Sequence, residues 1–245
     1  MSNIILTPFV PGTVKPEEDY VEFARLGQKL GLPCPQAHIS LESTTSDGIV
    51  HETYTDRSRT LTRNYWNWLF KAFAGFNNNG SNSQTAMSSD TTWGAGHMTQ
   101  KTTAAVVVNP NTTSWDSSPS AVIAGATSAT GIVVGTGTAA ESFDGHALAT
   151  QVVHGNGAGE LNHNSSTLAA PSYNGGTLTW TWVTTRIFNN NSGGTIVIAE
   201  TGIYGTSIGP NTNFMLMRDL LGATVSVLDA GQLTVTYTFT LTFPA

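Results

Sequence analysis

The sequence is short of charged residues. Asp, Glu, Lys and Arg supply only 11% of its 245 residues, less than half of the usual share of about 25%. A coiled coil, a charged helical bundle or a charged disordered chain needs far more of them. Thr, Ser, Asn and Gly take their place, and these residues favour strands, turns and polar surfaces over helices. The composition therefore predicts a globular protein that is rich in β-structure.

Basic side chains are scarcest in the C-terminal part. Residues 102–245 contain only Arg186 and Arg218, against seven acidic residues, and the whole chain has a formal net charge of −6. Binding of nucleic acid through its phosphates requires clustered Lys and Arg. We therefore expect no nucleic-acid partner.

The sequence also has only one cysteine and no long apolar run. Cys34 is the only cysteine, which excludes an internal disulfide and a zinc cluster held by several thiolates. No run approaches the roughly 18 apolar residues of a membrane span, and the first residues lack the pattern of a signal peptide. The six histidines show no metal-ligand spacing. We expect synthesis in the cytoplasm, no membrane partner, no metal and no cofactor.

The first 35 residues are punctuated by proline, which suits an extended arm better than a central strand. Pro16 precedes three acidic residues, a common signal for the start of a helix. Tyr20, Phe23, Leu26 and Leu30 follow at helical spacing. We therefore predict an arm over residues 1–35 that contains one short helix.

A hairpin and an aromatic helix are predicted over residues 36–80. Asp47-Gly48 is a favourable hairpin turn. Large apolar side chains then recur with the helical period, between Thr62 as the N-cap and Gly75 as the end. Because interface hot spots are enriched in Trp, Tyr and Arg, we predict that this helix contacts neighbouring subunits. The predicted interface residues are Arg63, Tyr65, Trp66, Trp68, Phe70 and Phe73.

The rest of the chain is predicted to be a polar loop and a β domain. Residues 81–101 are rich in Asn, Ser and Gly and have no hydrophobic period, as is typical of a loop. Within 102–245, apolar and polar residues alternate most regularly over 233–243, where every even position is Thr. This pattern predicts a strand of about 36 Å with one buried face. We predict an antiparallel β-sandwich or jelly roll, with residues 36–245 as one unit.

No motif selects a catalytic group. Residues 131–138, GIVVGTGT, lack the Lys-Ser/Thr ending of a phosphate loop, so a strand that ends in a glycine turn is predicted. Glu200 ends an apolar segment, and an inward carboxylate there requires a cation. Arg186 and Arg218 are the candidates, and we predict a structural ion pair among these three residues.

Tryptophan suggests an alternative function. Trp93 and Trp115 lie among Asn and Thr, a setting that suits stacking and hydrogen bonding to a sugar on a host surface. Trp180 and Trp182 share a strand face with Leu178, so we predict that they belong to the core. A third hypothesis, an enzyme that degrades polysaccharide, requires two carboxylates about 5–10 Å apart, and the spacing of the acidic residues selects no such pair.

The chain resembles a diffuse group of tailed-bacteriophage and prophage virion proteins. The C-terminal segments that carry the likeness are GIVVGTGTAAESFDGHALATQVVHG, RIFNNNSGGTIVIAETGIYG and FMLMRDLLGATVSVLDAGQLTVTYTFTLTFPA. The hairpin and RSRTLTRNYWNWLF resemble the same group, so the likeness covers residues 38–245. It implies a non-enzymatic structural part of a virion, in head, collar or tail, which assembles with copies of itself and other virion proteins. A glycan-binding decoration or fibre module is the alternative.

Overall fold

A computed structural model describes residues 17–58, 61–66, 85–87, 93–97, 128, 130–206 and 213–244. In chain order the elements are α1 (Glu17–Leu30), β1 (Cys34–Thr44), β2 (Val50–Ser58), β3 (Thr85–Met87), β4 (Trp93–His97), β5 (Gly131–Gly135), β6 (Asn162–His163), β7 (Thr167–Leu168), β8 (Ser172–Asn174), β9 (Thr179–Asn189), β10 (Ile196–Thr206), β11 (Asn213–Val227) and β12 (Gln232–Thr242). A helical turn covers 63–66.

Two antiparallel sheets form a sandwich. The larger sheet has the strand order β2-β1-β12-β9-β6, and β7 and β8 also pair with β9. The smaller sheet has the order β11-β10-β5. Apolar side chains from both sheets belong to one buried cluster. The predicted mainly-β, sandwich-like fold is therefore confirmed, whereas jelly-roll connectivity stays a prediction.

The predicted hairpin is part of the larger sheet. β1 pairs with β12 along its whole length and with β2 on its other side. Gly48 has a φ of 78° in the β1–β2 turn, and its N–H donates to the Thr45 carbonyl at 3.0 Å. β1 begins at Cys34, within the segment predicted to be an arm. One sheet thus joins the N-terminal and C-terminal parts of the chain.

The two faces of β12 differ in burial, which explains the alternation in its sequence. Leu233, Val235 and Tyr237 are fully buried between the sheets, while the threonines between them are half-buried on the other face. On that face the hydroxyls of Thr236 and Thr185 lie 3.0 Å apart in a cross-strand hydrogen bond. The buried apolar face stabilises the sandwich, and the threonines satisfy one another across neighbouring strands.

Residues 136–152, here called the covering loop, leave β5, pass over the face of the smaller sheet that points away from the larger one, and return to pair with the edge of β5. Leu148 of this loop forms a second buried cluster with Val133, Tyr204 and Met215. Its N–H donates to the Tyr204 hydroxyl at 2.7 Å. The smaller sheet is therefore covered on both faces, as its uninterrupted burial in β5 requires.

The predicted helix of the arm is present as α1. Gly31, with a φ of 70°, ends it, and the Leu32 N–H donates to the Gly27 carbonyl at 2.8 Å. A Cβ at Gly27 would overlap the Cys34 sulfur, so glycine lets α1 approach the start of β1 closely. Phe23 of the predicted apolar stripe is exposed.

One segment differs from the prediction. The polar loop over 81–101 contains β3 and β4, which pair antiparallel. Strands of three and five residues are too short to show a hydrophobic period, and glycines interrupt β4. The apolar runs at 106–108 and 122–124 lie outside the described residues.

Leu233→Ala should lower the free energy of unfolding by about 2–5 kcal/mol, because it leaves a cavity between the sheets. Thr234→Ala, one position along on the other face, should cost less than about 1 kcal/mol. Urea denaturation of both variants measures the difference. Equal losses would contradict the assignment of the two faces of β12.

Candidate functional site

Glu200 is fully buried on the face of the smaller sheet that the covering loop contacts. Ile198, two residues earlier in β10, would share this face in a regular strand, but it points the opposite way, into the core between the sheets. The pairing of β10 with β11 shifts between these two residues. Such a bulge changes which face the following side chains occupy. It therefore takes the Glu200 carboxylate out of the apolar core.

Four hydrogen bonds surround the Glu200 carboxylate. The donors are the backbone N–H groups of Gly137 (3.2 Å), Ala149 (3.0 Å) and Thr150 (2.8 Å) and the Nε of Arg218 (2.8 Å). A buried carboxylate costs several kcal/mol unless its charge is paired and its oxygens are hydrogen-bonded. Here both conditions are met, and the covering loop is bonded to the sheet at both of its ends.

Two glycines make room for this carboxylate. A Cβ at Gly135 or Gly137 would lie 2.6 or 2.5 Å from Glu200 Oε1, closer than any side chain tolerates. Gly135 and Gly137 of the segment GIVVGTGT thus border an anion, and this anion is the carboxylate of Glu200 in the same chain. The segment contains a strand, β5, as predicted, but the predicted glycine turn is not formed, because the chain stays extended after Gly135.

Arg218 is the cation that lies against Glu200. Its remaining guanidinium nitrogens donate to the carbonyls of Ala139 and Ala140 at 2.7 and 3.0 Å. Glu141, next in the covering loop, accepts the Leu220 N–H at 2.7 Å. The ion pair therefore also fixes the first half of the covering loop.

The prediction that Arg186 belongs to the same cluster is wrong. Arg186 lies on β9, in the larger sheet, and its side chain is buried between the sheets, whereas Glu200 lies on the far face of the smaller sheet. Its guanidinium donates to the carbonyls of Thr130 (2.9 Å), Ile132 (2.7 Å) and Asn164 (2.8 Å). Burial lowers the pKa of Arg186 to about 10. Arg186 thus joins β5 to the larger sheet.

Asp219 is a buried acid for which the sequence motifs predicted no role. Its Oδ2 accepts hydrogen bonds from Ser58 Oγ at 2.9 Å and Tyr237 Oη at 3.0 Å, so it links the two sheets. An acidic residue inside the apolar run FMLMRDLLG was the available signal. Asp219 and Glu200 lie on opposite faces of the smaller sheet and cannot flank one substrate as a carboxylate pair.

The start of the predicted aromatic helix is bonded to β11. The Thr62 hydroxyl donates to the Met215 carbonyl at 2.7 Å, and the Asn64 amide donates to the same carbonyl at 3.2 Å. Thr62 precedes the helical turn as predicted for an N-cap, and its backbone carbonyl accepts the N–H groups of Tyr65 at 3.1 Å and Trp66 at 3.4 Å. Its hydroxyl, however, donates to β11 and so differs from the usual N-cap side chain, which accepts a bond from the following turn.

The structure places the first three predicted interface residues in different settings. Arg63 is exposed and forms an ion pair with Asp144 at 2.7 Å. Tyr65 is half-buried and packs against the core, and burial raises its pKa. Trp66 is exposed, with its ring edge-on to Tyr65. Trp68, Phe70 and Phe73 lie outside the described residues.

An apolar surface extends beyond the core on the inner face of the larger sheet. We call it the apolar shelf, and its residues are Tyr173, Trp180, Trp182, Phe239, Leu241 and Phe243. Trp182 pairs with Phe239 and Trp180 with Leu241 across β9 and β12. The Trp182 and Phe239 rings stack with centroids 4.6 Å apart, and those of Tyr173 and Trp180 lie 5.4 Å apart. The shelf is therefore one continuous surface.

The shelf corrects the prediction that Trp180 belongs to the core. Trp180 is 43% exposed and Tyr173 is 49% exposed, whereas Tyr237, two residues before Phe239, is fully buried. Along this face, complete burial ends at Tyr237, and Trp182 and Phe239 are only partly buried against the core. In contrast to Trp180, Trp182 is half-buried and packs against the core, so the predicted core position is partly correct for this residue.

The predicted glycan-binding residues are not brought together by any described contact. Trp93 begins β4, but its side chain and the whole of Trp115 lie outside what the structure describes. The described residues contain no group of three or more His, Cys, Asp or Glu side chains that could hold a metal ion. No described helix has the length and apolar character needed to cross a membrane.

Comparison with known proteins finds no matching family model, no matching curated protein and no matching solved structure.

Glu200→Gln should lower the free energy of unfolding by about 3–5 kcal/mol, because it leaves Arg218 buried without its counter-charge. It also turns an NH₂ group toward N–H donors. Glu22→Gln is the matched control: it breaks an exposed ion pair with Arg25 on α1 and should leave stability unchanged. Chemical denaturation measures the free energy of unfolding of both variants. A Glu200→Gln protein with wild-type stability would contradict the role of the carboxylate.

The buried tyrosines should limit stability at high pH. Burial raises the pKa of Tyr204 to about 12, and burial also raises the pKa of Tyr237 well above its usual range. Unfolded tyrosine loses its proton near pH 10. Their contribution to stability is thus complete below about pH 10 and is lost as pH rises toward about 12 and beyond.

The measurement is an alkaline titration that follows tyrosinate absorbance and near-ultraviolet circular dichroism together. Part of the tyrosinate signal should appear only as the tertiary signal is lost. Complete ionisation of all tyrosines with native dichroism would show that these side chains are not buried.

Proposed function

We propose that the chain is a non-enzymatic structural protein of a virion, and that its apolar shelf packs against the shelf of a second copy. The observation that carries the proposal is the exposure of Trp180 and Tyr173 on a continuous aromatic surface. Exposed apolar patches that are ordered and continuous mark association surfaces more often than isolated apolar residues do. Trp and Tyr are also the side chains that dominate interface energetics.

The charge pattern favours a second copy as the partner. The strand segments that carry the shelf, 172–174, 179–183 and 239–243, contain no Asp, Glu, Lys or Arg, although the chain has a formal net charge of −6. Repulsion between identical copies with this net charge is smallest where their uncharged surfaces meet. A neutral aromatic surface is self-complementary, because its rings can pack edge-to-face or offset across a two-fold axis.

The rigidity of the frame supports the same function. Glu200, Arg186 and Asp219 each bond partners on separate elements, and together they fix the covering loop and both sheets. A preformed surface loses little conformational entropy on binding, so more of its contact energy appears as affinity. A repeated building block needs such a fixed shape.

The virion assignment rests on the resemblance of residues 38–245 to phage virion proteins, and the location in head, collar or tail stays open. The arm and the aromatic helix are further proposed contacts with neighbouring subunits. In the described part of this helix, Trp66 is an exposed aromatic side chain that is available for such a contact. The glycan-binding alternative rests on Trp93 and Trp115 and stays a prediction.

Sedimentation velocity over a range of concentrations tests the proposal. The wild-type chain should self-associate, and the double variant Tyr173→Asn, Trp180→Asn should weaken self-association by about tenfold or more. Val197→Asn is the control, because Val197 is 44% exposed but lies on the smaller sheet. A monomeric wild-type chain, or equal association of wild type and double variant, would contradict the proposal.

A further inference from the structure

Asn174 and Gly175 form an exposed Asn-Gly pair where β8 turns toward β9. Both residues are solvent-exposed, and Asn174 is the last residue of its strand. An Asn-Gly pair is chemically special because glycine has no side chain to shield its backbone nitrogen. That nitrogen can reach the side-chain amide carbon of the preceding asparagine.

The turn prepares the Asn174 amide for attack. Its Oδ1 accepts hydrogen bonds from the Gly176 N–H at 2.9 Å and the Thr177 N–H at 3.3 Å. Two donors on a carbonyl oxygen stabilise the negative charge that develops there when a nucleophile adds to the carbon. Among the described residues, no acceptor takes the Gly175 N–H. The nucleophile and the electrophile are thus both available.

The second described Asn-Gly pair is built in the opposite way. The Gly157 N–H donates to Glu160 Oε2 at 2.8 Å. A carboxylate bonded to this N–H opposes its deprotonation, which the reaction requires. The Asn156 Oδ1, like that of Asn174, accepts two bonds, here from the side-chain amides of Asn162 and Asn191, each at 3.3 Å. The two sites therefore differ in whether the glycine N–H is bonded to an acceptor.

We infer that Asn174 is a site of spontaneous deamidation, with water as the co-reactant, and that the fold protects Asn156 from the same reaction. The Gly175 nitrogen loses its proton and bonds to the side-chain carbon of Asn174. The bond from that carbon to Nδ2 breaks, and ammonia leaves with the proton. Water then opens the five-membered imide at either carbonyl, which yields aspartate or isoaspartate without any change of oxidation state.

The product places a negative charge beside Tyr173, on the border of the apolar shelf. In the isoaspartate product the main chain also runs through the former side chain, which lengthens the β8–β9 turn by one atom. A charge at this point opposes packing of two uncharged shelves. This consequence rests on the proposed function, whereas the reaction itself does not.

Peptide mapping by mass spectrometry tests the inference on the full chain, incubated folded at mildly alkaline pH. Asn174 should convert at least about tenfold faster than Asn156, since each charge-assisted hydrogen bond that must open slows the reaction by roughly that factor. Glu160→Ala should raise the rate at Asn156. A rate at Asn156 equal to that at Asn174 in the folded wild type would overturn the inference.

Gly175→Ala is the second variant. A Cβ at this position meets only the Tyr173 ring at 3.9 Å, an ordinary contact, so the fold is retained. The variant should slow conversion of Asn174 about tenfold or more by shielding the nitrogen, and an unchanged rate would contradict the mechanism. The unfolded chain in urea is the control, and there the two sites should convert at similar rates. If the difference in rate persists in urea, it comes from the local sequence and not from the fold, which would contradict the inference. The mass readout is independent of self-association.

Discussion

The hydrogen bonds to the buried Glu200 carboxylate hold the covering loop against the smaller sheet. Desolvation of a carboxylate is unfavourable by several kcal/mol, so this arrangement is stable only because Arg218 and three backbone N–H groups are all in place. The bulge in β10 that turns Glu200 away from the core, and the glycines that leave room for its oxygens, are required by the same charge. Loss of any of these elements would leave a buried charge without compensation.

Two other buried charged groups complete the frame. Arg186 joins β5 to the larger sheet through backbone carbonyls, and Asp219 links β2, β11 and β12 through hydroxyls. Glu200 lies on the outer face of the smaller sheet, whereas Arg186 and Asp219 join different strands of the two sheets to each other, so the three stabilise separate junctions. In the proposed function, these buried charges hold the shape, and the uncharged apolar shelf is the surface that associates.

Local patterns allowed much of the fold to be predicted, because alternation along β12 and the Asp47-Gly48 turn depend on neighbouring residues. The choice between Arg186 and Arg218 as the partner of Glu200 could not be predicted, because it depends on a bulge that changes the face of β10. Trp180 shows the same limit. Its alternation correctly predicts the inner face, but its exposure depends on distant parts of the chain that pack against that face, which no local pattern records.

Hydrogen–deuterium exchange of the covering loop tests the central claim most directly. If the Glu200 carboxylate holds this loop, the amides of Gly137, Ala149 and Thr150 should exchange only through large opening events, at rates close to those of β10 and β11. In Glu200→Gln the same three amides should lose this protection before the strands do. Exchange of these amides in the wild type at the rate of an open surface loop would contradict the account.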